Sequence, residues 1–222
     1  MVRTLLVGVA LIGALSPGRS LAQAVTQPLG AAPLIATEAP VDEVERGFML
    51  GADVGLAFLG SLPAASGTPS PSAWGAMIRL EVGYDIGRYV TVSAFGAFVS
   101  YRAGSDYIGY SNNGVASGDS SELIPGLAVR FNALGIADGQ GVQRSWFYVK
   151  AGVGWAFFEP SALFTATPAT SSYSSFYAFA GIGFQYYTHL RHFSIGVEVD
   201  GDFLGKSKSW GFLVTPNIRY AF

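Results

Sequence analysis

Hydrophobic and polar positions alternate along most of this chain with a period of two, the signature of β-strands whose two faces meet different surroundings. Between Trp74 and Ile86 one parity reads Trp74, Ala76, Ile78, Leu80, Val82, Tyr84, Ile86, while the other carries Gly75, Met77, Arg79, Glu81, Gly83 and Asp85. The run is 13 residues long, whereas strands of soluble sandwiches run about 5 to 6. That length suits a strand crossing a bilayer at a tilt.

The same alternation recurs. A first strand has Phe48, Leu50, Ala52, Val54, Leu56 and Phe58 on its apolar face; a fourth has Leu123, Pro125, Leu127, Val129 and Phe131; a fifth has Phe147, Val149, Ala151, Val153, Trp155 and Phe157. Phe176, Ala178, Ala180, Ile182, Phe184 and Tyr186 mark a sixth strand, Phe193, Ile195, Val197 and Val199 a seventh, and Phe212, Val214, Pro216, Ile218, Tyr220 and Phe222 the last. The third, from Tyr89 to Tyr101, is apolar on both parities, and its facing stays open.

Eight strands result, and their connections alternate in length. Gly87–Arg88 and Thr188–Arg191 read as short turns; residues 60–73, 102–120 and 159–174 are long and rich in Ser, Gly, Pro, Thr and Asn. Short turns at one end and long loops at the other predict an all-β, transmembrane, up-and-down antiparallel barrel. Residues 132–145 break the pattern: they either protrude on the short-turn side or the strand count is locally off. Closure into a barrel is expected because an open edge in hydrocarbon would leave unpaired backbone groups at several kcal/mol each.

Composition agrees. Half of the residues are hydrophobic and 13% are charged, against about 25% charged in ordinary soluble domains. The one helical apolar run, Leu5 to Leu15, is about half the ~20 residues a spanning helix needs. Arg3 before it and Ser20 and Ala22 after it read as a signal peptide over residues 1–22, cleaved after Ala22. Residues 23–46, rich in Ala, Pro and Thr and then acidic at Glu38, Asp42, Glu43 and Glu45, read as a flexible periplasmic leader; residues 47–222 form the barrel domain. Of the 13 basic residues, Arg3 and Arg19 leave with the signal peptide, so 11 face 15 acids for a net charge of about −4. That balance gives no support to nucleic-acid binding.

Six charges fall on inward parities at similar distances from the short-turn end: Asp53, Arg79, Glu81, Lys150, Glu198 and Arg219. An eight-strand barrel is only wide enough to be filled by side chains, so these predict a compensated network plugging the lumen, with Asp53 paired to Arg219 across the closing seam. Inward glycines such as Gly51, Gly83, Gly152 and Gly183 are expected to relieve crowding in so narrow a cylinder. Trp74, Tyr84, Tyr89, Trp146, Tyr186 and Tyr220, near strand ends, read as membrane-interface girdles.

A hydrolase reading rests on His192 and Ser194, two apart on one inward strand face, with Glu198 on the same parity. The tripeptide resembles that of barrel-shaped lipid A deacylases, but the parity aims it away from lipid and no Asn follows Ser194, so no enzyme and no cofactor are expected. His189 and His192 lack a third ligand and read as interfacial polar residues, not a metal site.

The segment Trp146-Phe147-Tyr148-Val149-Lys150-Ala151-Gly152-Val153-Gly154, the run Ile195-Gly196-Val197-Glu198 and the ending Tyr220-Ala221-Phe222 resemble the small eight-stranded outer-membrane barrels of the OmpA and OmpX type, including opacity-like surface proteins. The resemblance covers residues 47–222. It implies the bacterial outer membrane, a monomer among lipid and lipopolysaccharide, and passage by periplasmic chaperones to the barrel-assembly machinery, for which Phe222, Tyr220 and Ile218 form the signal. It also implies a structural or adhesion-like role, with a minor small-solute channel as the alternative; envelope tethering, which needs a further domain, is not carried over. Contact with a host or surface ligand would fall to the loops, notably Tyr107, Tyr110, Asn112 and Asn113, while Lys206 and Lys208 suit lipopolysaccharide phosphates.

Overall fold

A computed structural model describes residues 46–62, 72–102, 119–139, 141–159, 173–188 and 192–222. The signal peptide, the leader up to Glu45 and the loop residues Tyr107, Tyr110, Asn112, Asn113 and His189 lie outside the described residues. Eight strands follow one another: β1 (Phe48–Leu59), β2 (Ala73–Ile86), β3 (Val90–Arg102), β4 (Asp119–Ala137), β5 (Gln143–Glu159), β6 (Tyr173–Tyr187), β7 (Phe193–Leu204) and β8 (Ser209–Ala221). Each pairs antiparallel with its neighbours in sequence, and β1 pairs with β8, so the sheet is a closed barrel. The expected all-β up-and-down barrel is the observed one.

Closure follows from the sequence because alternation leaves every strand with one apolar face and no edge that hydrocarbon would tolerate. Leu50, Val54, Leu56, Ile78, Leu80, Leu127 and Ile182 are exposed on the outer wall, which is the ordinary arrangement for a surface solvated by acyl chains. No helix among the described residues is long and apolar enough to cross a membrane, so the strands alone make that surface.

The structure resolves both open points. In β3, Thr91, Ser93, Phe95, Ala97, Val99 and Tyr101 are buried inside, and Val92 and Phe98 face out. Sequence left this facing open because a lumen half lined with apolar side chains erases the contrast between faces. Residues 132–145 are not a loop: β4 runs to Ala137 and β5 starts at Gln143, with register shifts at Asn132/Leu134 and Ile136/Ala137. Val90 pairs with Phe131 at the last rung of β3, so the β4–β5 hairpin extends beyond its neighbour. Its turn is tied by Arg144 Nε donating to Asp138 Oδ2 at 2.9 Å and by the Val142 amide donating to Asp138 Oδ1 at 3.0 Å.

The interior is crowded enough to require glycine. A Cβ on Gly183 would lie 2.2 Å from the Tyr148 ring, and one on Gly152 would lie 2.3 Å from that of Phe179. Replacing Gly183 by Val is therefore expected to reduce the fraction of chains reaching the folded, heat-modifiable form on an unboiled gel, whereas Gly139→Ala, where a Cβ meets nothing, should leave that fraction unchanged.

Candidate functional site: the charged lumen

The inward face of each strand contributes one side chain every second residue, and eight such columns converge on a narrow lumen. Arg79 stands where β2 faces Asp53 directly across the β1–β2 ladder. Its guanidinium Nε donates to Asp53, Nη2 to Glu198, and Nη1 to Asp200 Oδ2 at 3.1 Å. Three acids from β1 and β7 thus hold one arginine that is 1% exposed. Lys150 on β5 joins them, its Nζ 2.9 Å from Glu81 Oε2 and 3.3 Å from Glu198 Oε1.

Neutral donors complete the arrangement. The Ser93 hydroxyl donates to Glu81, and Tyr148 Oη donates to Glu198 Oε2 at 2.9 Å while accepting from Asn217 Nδ2 at 3.3 Å. Arg130 lies 3.7 Å from the centre of the Tyr148 ring and donates to Gln185 and, at 3.0 Å, to Asn132 Oδ1. The gap bounded by Asp53, Glu81, Arg130, Tyr148, Lys150 and Arg219 has a volume of about 20 Å³, room for roughly one water.

All of the predicted lumen residues face inward, and Asp53, Arg79, Glu81, Lys150 and Glu198 form one connected network. Arg219 stands apart. The expected Asp53–Arg219 pair does not form: on the β1–β8 seam Asp53 faces Asn217, and Arg219 faces Gly51. Arg219 Nη2 instead donates to Asp85 Oδ1 at 2.5 Å, an oxygen that also accepts from Thr91 Oγ1 at 2.6 Å. Adjacency of the two strands was right, but the register between them is set one inward position away. Compensation is also less even than expected, since Asp85, Glu122, Asp200 and Asp202 add acids while Arg130 adds one base. Asp85, Asp200 and Asp202 share the parity of inward residues already identified, and Glu122 and Arg130 have the parity opposite to outward Leu123 and Phe131, so alternation alone locates them.

Toward the long-loop end the lumen changes character. Met77, Phe95, Phe179, Tyr177, Tyr101 and Leu213 belong to one apolar cluster. Phe95 and Phe179 meet edge to face with ring centres 5.6 Å apart. Arg79 and Lys150 lie 5.4 and 6.0 Å from the Phe179 ring centre, so that ring caps the network.

Two further expectations are corrected. Trp146 is not part of a girdle: it is 2% exposed, donates its indole N–H to the Gln143 carbonyl at 3.2 Å and meets Tyr89 edge-on at 6.0 Å. Being adjacent to outward Phe147, it must face in. Trp74, Tyr84 and Tyr220 are exposed on the outer wall as expected, Tyr186 is half-buried, and Tyr89 is exposed in the β2–β3 turn, stacked on outward Phe131. His192 is not on the inward face with Ser194, because β7 begins only at Phe193. Its ring stacks on the outward Tyr220 at 5.4 Å and its Nδ1 lies 3.0 Å from the Ala221 carbonyl. Ser194 Oγ, inside, accepts from Gln185 Nε2 at 2.6 Å. Among the described residues no three His, Cys, Asp or Glu side chains converge on a metal position.

At the C-terminus, Phe222, Tyr220 and Ile218 share the outer face, and the Phe222 amide donates to the Phe48 carbonyl at 2.8 Å, extending the seam by one bond. Tyr220 and Phe222 pack edge to face at 5.0 Å.

Removing one partner of a buried ion cluster strands the others, at about 3–5 kcal/mol. Arg79→Met, which leaves three carboxylates facing a thioether, is expected to lower the unfolding free energy in detergent by about that amount. Arg219→Met should cost less, since only Asp85 loses its cation; urea unfolding followed by tryptophan fluorescence distinguishes the two.

No family model and no curated protein matches the sequence. Solved structures do resemble it. Neisserial surface protein A superposes with a TM-score of 0.55 at 16% identity, covering 79% of this chain and 97% of that one. Weaker likenesses are to Ail, the attachment invasion locus protein of Yersinia pestis (TM-score 0.43, 16% identity, 80% and 100% coverage), and to the N-terminal barrel domain of Pseudomonas aeruginosa OprF (0.44, 12%, 79% and 98%). With its eight-strand closure, its apolar outer wall and its match to Neisserial surface protein A, the chain has the fold of the small eight-stranded outer-membrane β-barrels.

Proposed function

We propose that this chain is a surface-interaction barrel of the bacterial outer membrane, in which a lumen closed by charge and aromatic packing serves as a rigid mount for the long connecting segments. The observation that carries the reading is the packed charge of the lumen: the gap among Asp53, Glu81, Lys150, Glu198 and Arg219 is about 20 Å³, far less than a hydrated solute requires. A barrel closed in this way contributes little as a conduit. The long connections between β1 and β2, β3 and β4, and β5 and β6 all leave the barrel at the end opposite Gly47 and Phe222, which suits adhesion-like contact with a host or surface ligand. Small eight-strand barrels host several functions on one scaffold, so the loops and not the fold decide among them.

The lumen residues Asp53, Arg79, Glu81, Lys150, Glu198 and Arg219 act here as plug and stabiliser, and Phe222, Tyr220 and Ile218 as the segment offered to the assembly machinery. Lys206 and Lys208, exposed in the β7–β8 turn, stand where lipopolysaccharide phosphates would meet them.

Two measurements test this. Protein reconstituted in a planar bilayer is expected to give no steady conductance; a large, stable channel would replace the plug by the small-solute pore. Deleting residues 104–117 between β3 and β4 should leave heat-modifiable migration intact while reducing adhesion of expressing cells, and undiminished adhesion would remove that loop from the contact.

A further inference from the structure

Every lumen cation described above lies on the short-turn side of Phe179, where Arg79 is already held by Asp53, Glu198 and Asp200. On the other side, within the apolar cluster, the lumen holds two more acids. Glu122 on β4 is 2% exposed and Asp202 on β7 is 7% exposed. The charge of Asp202 acts on Glu122, and both act on the hydroxyls of Tyr101 and Tyr177, with Tyr101 hydrogen-bonded to Glu122.

The strand registers explain this grouping. Ser120 faces Tyr101 across the β3–β4 ladder, one inward position beyond Glu122. Asp202 faces Phe179 on β6, with Tyr177 at the next inward position, and faces Gly211 on β8. Gly211 makes room for it: a Cβ there would lie 2.8 Å from Asp202 Oδ1 and 2.9 Å from Oδ2.

Three oxygens in this group are buried without a hydrogen-bond partner: Glu122 Oε1, Asp202 Oδ1 and Ser120 Oγ. A buried polar group left unpaired is destabilising, and a buried charge left unpaired more so. The residues that face the pair across the ladders, Val99 and Phe158 beside Glu122 and Phe179 beside Asp202, are apolar and offer no compensating charge.

We propose that Glu122 and Asp202, with the hydroxyls of Ser120, Tyr101 and Tyr177, form a binding site for a divalent cation near the long-loop mouth of the barrel. All the donors are oxygens, the set that a hard ion such as Ca²⁺ takes. Two carboxylates neutralise one divalent charge, so the filled site removes the charge imbalance of this half of the lumen. With only two acids and otherwise neutral donors the site is weak, in the range of about 10⁻⁴–10⁻³ M typical of extracellular calcium modules.

The probes are Ca²⁺ and the luminescent ion Tb³⁺, applied to the full mature chain refolded in detergent at pH 7.5. Tb³⁺ emission excited through the adjoining tyrosines is expected, displaced by millimolar Ca²⁺ and reduced at least tenfold in E122Q/D202N. Ca²⁺ should raise the thermal midpoint of the wild type and leave that of E122Q/D202N unmoved. Emission undiminished in E122Q/D202N would mean an adventitious surface ion only and would overturn the site. So would a wild type that Ca²⁺ does not stabilise but that acidification alone brings to the stability of E122Q/D202N, since protons would then be holding the pair. Should the double variant fail to refold, the wild-type titration still decides: no calcium-dependent rise in thermal midpoint refutes the proposal.

Discussion

Hydrocarbon offers no partner to a backbone amide, and the rest of this structure depends on that constraint. A sheet in lipid must pair its first strand with its last, and here β1 meets β8 from Met49–Ala221 to Leu59–Gly211. Closing eight strands fixes a cylinder whose interior accepts side chains and little else. Everything inside is consequently selected for fit and charge balance at once. Glycines lie where Tyr148 and Phe179 need room, and a single arginine is shared among three acids. The outer wall has no comparable demand, because one apolar side chain serves acyl tails about as well as another.

Charge divides the lumen into two halves. Near the short turns, cations and acids interlock and Ser93, Thr91, Asn217 and Gln185 add further hydrogen bonds, while Asp200 Oδ1 and Arg130 Nη2 stay without a hydrogen-bond partner among the described residues. Such a network stabilises to the extent that its members are satisfied together, and each unpaired atom takes from that gain. Beyond Phe179 the lining turns largely apolar, with Ser120, Ser175 and Ser209 as small polar exceptions and Glu122 and Asp202 as the acids. The aromatic boundary is also an electrostatic one, since it keeps Arg79 and Lys150 from reaching those two acids.

Alternation in the sequence made the barrel legible, including the outward faces of seven strands, because lipid imposes one polarity on every outer position. It left β3 open, as the apolar half of the lumen imposes the same polarity from inside. Parity also locates further lumen residues. Asp200 and Asp202 continue the inward column of Glu198, Glu122 adjoins outward Leu123, Arg130 lies between outward Val129 and Phe131, and Trp146 must oppose Phe147. What parity cannot supply is register. It says that Asp53 and Arg219 face inward on strands that meet, and nothing about which rung each occupies, so it points Arg219 to the nearest acid in topology whereas its partner in space is Asp85.

The mistaken pair is informative about closure itself. A slip of one residue along the β1–β8 seam would turn a whole strand inside out and expose Arg219 to lipid, which hydrocarbon forbids. A slip of two keeps every outward side chain outward, so lipid hardly opposes it: Leu50 would trade Tyr220 for another apolar neighbour. Such a slip in one direction would carry Arg219 from Gly51 to Asp53, the pairing that the sequence suggests. What opposes it lies inside. Asp53 is already committed to Arg79 opposite it on β2, and moving Arg219 would leave Asp85 buried without its cation. In a barrel whose outer wall is indifferent to a two-residue shift, the charged lumen therefore selects the register at which the seam closes.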